Sequence, residues 1–87
     1  MIILIKGSGK TFFCNHLVKL FARYKHFRIY DDVQACQIPH ILRAIRYGRY
    51  PVFVLTSTDE NIDKWEPSFR KVLQLPVFVL EVSRFDR

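Results

Sequence analysis

Four short apolar runs alternate along the chain with three stretches whose apolar residues recur at helical spacing, and few folds accept that pattern. The first run, Met1 to Ile5, is unbroken and rich in Ile, as in a strand buried on both faces of a parallel sheet. Phe27 to Tyr30 reads as a second strand, PVFVL from Pro51 to Leu55 as a third, running on into Thr56 and Ser57, and PVFVLEV from Pro76 to Val82 as a fourth. The pentapeptide PVFVL occurs twice with different flanks, so the copies read as two buried strands under one constraint, not as a duplicated unit. A leading proline suits a strand start, where no ladder donor is lost.

Phe13, Leu17, Leu20, Phe21 and Tyr24 mark one face of a first helix opening at Lys10. Ile38, Ile41, Leu42 and Ile45 mark a second, entered at Pro39 and stopped near Gly48. Ile62, Trp65, Phe69, Val72 and Leu73 share a face of a third, whose regular part Pro67 delays until about Glu66. Strand and helix in strict alternation predict an α/β fold: a small parallel four-stranded sheet with helices on its faces, in strand order fourth-first-third-second. Its 87 residues make one domain, 1–87, and a hydrophobic share of 49% with eight Phe supplies the core.

Three polar clusters fall just after the first three strands, where sheets of this kind bind ligands. Gly7, Ser8, Gly9, Lys10 and Thr11 follow the first, Asp31 and Asp32 the second, and Thr56, Ser57 and Thr58 the third. GSGKT matches the end of the phosphate-loop pattern G-x-x-x-x-G-K-[ST], with Leu4 where that pattern has its first glycine. Amides of a glycine turn and a helix start hold phosphate oxygens, and a lysine there places its ammonium between the outer phosphates of a triphosphate such as ATP. If the ligand is such a triphosphate with magnesium, Thr11 would offer a hydroxyl to Mg²⁺, Asp31 would hold that ion from behind, Asp32 would polarise the attacking water, and Thr56 to Thr58 would hydrogen-bond to it. As catalytic candidates we therefore take Lys10, Asp32 and Thr58. Each cluster also has a structural reading: a glycine-rich turn, and acids and threonines that cap the helices following them.

Fourteen Lys and Arg against eight Asp and Glu leave +6, a surplus that suits a polyanionic partner. Arg43, Arg46 and Arg49, with Tyr47 and Tyr50 between them, can form a strip for a nucleic-acid backbone with rings for stacking, or simply a solvated helix face. Arg23, Lys25, His26 and Arg28 form a second basic cluster. Arg70, Lys71 and Arg84 can reach across a subunit boundary in a homo-oligomer, or can be the wet side of the third helix. Cys14 and Cys36 make no disulfide framework, and their spacing from His16 and His40 favours core thiols and surface imidazoles over a zinc site. MIILI is too short for a membrane span or signal core, so an intracellular chain with no membrane partner is expected.

Taken together, these residues resemble P-loop NTPases, and more narrowly the ATPase core of superfamily 3 helicases of small DNA and RNA viruses. GSGKT is similar to the first motif of that family, IYDD at Ile29–Asp32 to its second, and YPVFVLTSTDENI at Tyr50–Ile62 to its third, with Thr58 where the family has a sensor asparagine. WEPSFRKVLQLPVFVLEV, Trp65 to Val82, is similar to the segment that closes the core. The resemblance implies a module that hydrolyses ATP with Mg²⁺, works on single-stranded nucleic acid in DNA replication, assembles as a ring and acts inside a virus-infected host cell. DNA-packaging and phage-assembly ATPases are a second resemblance, carried by the acid pair, the following helix and Gly48-Arg49 before the third strand. An inactive relic of the fold that keeps only nucleic-acid binding is a third reading.

Overall fold

The computed structural model describes residues 1–20, 27–48 and 50–83. Its elements are β1 (Ile2–Gly7), α1 (Lys10–Leu20), β2 (Phe27–Tyr30), a short 3-10 turn (Ala35–Gln37) running into α2 (Ile38–Tyr47), β3 (Val52–Thr56), α3 (Asp59–Leu73) and β4 (Val77–Val82). The strands form one sheet in the order β2-β3-β1-β4 with every neighbour parallel, which is the predicted order read from the other edge.

The order fixes where the helices lie. Parallel crossovers are almost always right-handed. From β1 the chain passes over β3 to reach β2, then reverses and steps back to β3 and across β1 to β4. The reversal sends α1 to one face and α2 and α3 to the other. Side chains alternate along each strand accordingly. Ile2, Leu4, Phe53, Leu55 and Val77 point to the side of α2 and α3, where they bury Ile41, Ile45, Ile62, Trp65 and Phe69. Ile5 and Val54 point the other way and bury Cys14 of α1, with Phe13 and Leu17 packed around them.

In α2, Pro39 sits in the first turn, where its missing N–H costs nothing, and Ile41 and Ile45 form the buried stripe. The helix starts at Ile38, one residue before the predicted entry, because the 3-10 turn feeds directly into it. On α1 the predicted stripe holds for Phe13 and Leu17; Phe21 and Tyr24 lie outside the described residues.

Three expectations need correction. The helix α3 is regular from Asp59, with Pro67 inside it, so the proline does not delay it to Glu66. A mid-helix proline forfeits one bond and crowds the carbonyl four residues back. Here Thr58 caps the start, Asp59 and Glu60 complement the helix dipole, and Ile62, Trp65 and Phe69 are buried on both sides of the proline. Burial at about 1.5–3 kcal/mol per large side chain outweighs the lost bond. Val72, placed on the apolar face by spacing, is exposed at the end of that helix.

The second PVFVL is not a buried strand like the first. Phe53, Val54 and Leu55 in β3 are all buried because β2 and β1 flank them, whereas β4 is an edge strand whose Phe78 and Leu80 are 52% and 42% exposed. Identical sequence meets different surroundings, since only Val77 and Val79 of β4 face the α3 side of the core.

Candidate functional site

At the carboxyl ends of β1 and β3 the chain departs in opposite directions, to α1 on one face and α3 on the other. Such a switch point opens a crevice between neighbouring strands. A cleft of about 520 Å³ lies here, lined by Gly9, Lys10, Thr11, Phe12, Asp31, Asp32 and Thr56. Residues from behind three strands are thus brought to one place.

The turn into α1 is tight, with only Ser8 and Gly9 between the end of β1 and Lys10. Gly7 and Gly9 have φ of +107° and +76°, a region that side-chain-bearing residues avoid. At Gly7 a Cβ would stand 1.9 Å from the Val82 carbonyl oxygen, so this glycine lets the chain turn while still paired to β4. Two amides of the turn have protein acceptors: Gly7 N–H donates to Asp59 Oδ1 at 2.7 Å, and Ser8 N–H to the Val82 carbonyl at 2.9 Å. The first helical bond of α1 runs from Phe13 N–H to the Gly9 carbonyl at 3.0 Å. The amides of Lys10, Thr11 and Phe12 therefore precede any intrahelical acceptor and present the positive end of the helix dipole to the cleft. The Lys10 ammonium bends over the turn and donates to the Gly7 carbonyl at 2.5 Å.

Opposite the turn, the acids are held by hydroxyls. Thr11 Oγ1 donates to Asp31 Oδ2 at 3.2 Å and Thr56 Oγ1 to Asp31 Oδ1 at 2.5 Å. Thr56 Oγ1 also accepts from the Asp32 N–H at 2.8 Å. The register that sets Tyr30 beside Leu55 carries Asp31 and Asp32 to Thr56. Asp32 leaves the strand with φ of +53°, and neither acid caps a helix, because the 3-10 turn starts only at Ala35. A hydroxyl and a carboxylate so joined match the oxygen donors that Mg²⁺ prefers, and helix-start amides beside a lysine match phosphate oxygens.

Of the Thr56–Thr58 cluster only Thr56 lines the cleft. Ser57 is buried, donating to the Val33 carbonyl at 2.6 Å and accepting from Asn61 Nδ2 at 3.0 Å, which locks the chain after β2 to α3. Thr58 is the N-cap of α3, accepting from Asn61 N–H at 3.2 Å. Sequence reasoning missed two residues here. Asp59 reads as a helix-start acid, yet it anchors the Gly7 amide. Phe12 is 79% exposed at the cleft; its place off the buried stripe of α1, next to Thr11, was the available clue.

Around the site, Lys6 Nζ pairs with Asp63 Oδ1 at 2.9 Å and ties the end of β1 to α3. That hydrogen bond holds the Lys6 ammonium above its ordinary pKa, with further help from the charges of Asp63, Glu81 and Asp59. Burial pushes the Cys14 thiol up to about 11, and the Asp31 charge adds to the effect. Cys36, expected as a core thiol, is exposed, because the 3-10 turn carrying it lies on the surface. His16 and His40 are exposed as expected. Among the described residues, no three His, Cys, Asp or Glu side chains gather as a metal cluster. Arg70 pairs with Glu66 one turn away at 3.0 Å on the wet side of α3; Arg23, Lys25, His26, Arg49 and Arg84 lie outside the described residues. Among the described residues no helix is long and apolar enough to cross a membrane.

No family model matches the chain, and no curated protein or solved structure is significantly similar to it.

Proposed function

We propose that this chain is an ATP-binding and ATP-hydrolysing module of the viral helicase and replication type, acting on single-stranded nucleic acid. One observation carries the reading: the start of α1, Lys10 and the Thr11–Asp31–Thr56 chain of hydrogen bonds converge on one cleft at the switch point of a parallel sheet. When bound, Mg–ATP supplies the scissile anhydride and a cation that draws charge from the leaving oxygens. The chain's own residues do the remainder. The amides of Lys10, Thr11 and Phe12 bind phosphate oxygens, and Lys10 exchanges the Gly7 carbonyl for a phosphate oxygen. Thr11 and Asp31 hold the cation, with Thr56 fixing the carboxylate. Asp32 orients a water and accepts its proton as the water oxygen bonds to phosphorus and the anhydride oxygen leaves. An intracellular setting in an infected cell and assembly into rings belong to the same proposal.

The test is Mg²⁺-dependent ATP turnover by the wild type, its stimulation by single-stranded DNA, and its loss in Lys10→Ala. A second reading, the nucleic-acid-binding relic, is favoured by the Gly7 and Ser8 amides already having protein acceptors. Binding of DNA without any turnover would select it. Turnover unaffected by Lys10→Ala would remove the cleft from the first reading.

A further inference from the structure

Beside the edge strand β2 a groove of about 440 Å³ runs along α2, separate in its lining from the cleft. Its polar and aromatic walls are Arg28 and Tyr30 of β2, His40, Arg43 and Tyr47 on α2, and Tyr50 ahead of β3. None of the described residues lining it is acidic, and the sequence has no Asp or Glu between Asp32 and Asp59. The rings are presented outward: Tyr47 is 79% and Tyr50 41% exposed. Tyr50 is set edge-on against Phe53, with ring centroids 6.0 Å apart at 79°. The Arg28 guanidinium lies 5.4 Å from the Tyr30 ring and 5.9 Å from the Tyr50 ring, held between them by cation–π attraction.

From this surface we infer that the groove between β2 and α2 is the docking site for single-stranded nucleic acid, with Tyr47 and Tyr50 stacking on bases and Arg28 and Arg43 meeting phosphates. Charge complementarity selects a polyanion, and exposed rings among cations select one whose bases are free to stack. A duplex keeps its bases paired and offers the tyrosines little. The groove and the proposed nucleotide site share β2 and the residues just after it, since Tyr30 lines the one and the next residue, Asp31, lines the other. The inference rests on the proposed nucleic-acid partner and adds where that partner sits.

The experiment is fluorescence anisotropy of labelled oligothymidylate, oligouridylate and a duplex of equal length, without nucleotide and across a salt series. Both single strands are expected to bind more tightly than the duplex, with the DNA and RNA arms showing whether the 2′-hydroxyl matters. Tyr47→Ala, an exposed position, should weaken binding about five-fold or more at unchanged salt slope. Arg43→Gln should lower that slope by about 0.7. Lys19→Gln, which removes an exposed charge on α1 on the opposite face of the sheet, should bind as the wild type does. Absence of single-strand binding, or wild-type behaviour of both groove variants, overturns the groove. If both groove variants bind single strands as the wild type does while Mg–ATP binding persists, only this inference fails, whereas absence of single-strand binding also removes the proposed nucleic-acid partner; if groove binding persists without nucleotide binding, only the ATPase reading fails.

Discussion

Thr56 does the most at the scale of a single residue. It is fully buried, gives its hydroxyl hydrogen to Asp31 and takes the Asp32 amide, so one side chain sets both acids. Thr56→Val keeps the shape but leaves that amide without its acceptor, and urea unfolding should register a loss of about 1–3 kcal/mol. That Asp31, Asp32 and Thr56 belong together was legible in the sequence, because each follows a predicted strand. The way they share hydrogen bonds was not, since it depends on the register between β2 and β3. The two cysteines give a second check. A thiol-reactive dye at pH 8 should label exposed Cys36 at once and buried Cys14 only on unfolding. The Cys14 thiol rises from an ordinary 9.0 to about 11 in the fold, so its neutral form favours the native state below pH 9, and that stabilisation is lost as pH climbs from 9 to 11. Alkaline unfolding of Cys14→Ala should lack this pH-dependent component.

At the scale of elements, the turn between β1 and α1 decides whether strand, cleft and helix can coexist. Gly7→Ala has to adopt a φ of +107° and to push the Val82 carbonyl away, so it should cost more than about 2 kcal/mol in thermal or urea unfolding and loosen β4 from β1. Element types and sheet order were readable, because alternation, helical spacing and the handedness of crossovers leave few arrangements. Two kinds of information were not local. Pro67 reads as a break, but burial of Ile62, Trp65 and Phe69 carries α3 through it. The two PVFVL copies read alike, yet β3 is central and β4 an edge, a distinction made by neighbours far away in sequence.

For the whole molecule, size and charge set the terms. Most of the buried apolar surface lies on the face of α2 and α3, and Phe69 is among its largest fully buried side chains. Phe69→Ala should cost about 3–5 kcal/mol, a large part of what a small domain has, and calorimetry should show most of its cooperative transition lost. The net charge of +6 was plain in the composition, whereas its concentration along β2 and α2 emerged only when Arg28 came to lie beside Arg43. The central claim, that the cleft at the switch point holds a triphosphate with its metal, is tested most directly by calorimetric titration of the wild type, Lys10→Ala and Asp31→Asn with a non-hydrolysable ATP analogue, with and without Mg²⁺. The expected result is wild-type binding that Mg²⁺ strengthens, lost in Lys10→Ala and made indifferent to Mg²⁺ in Asp31→Asn. Binding absent from the wild type, or identical in all three proteins, would contradict it.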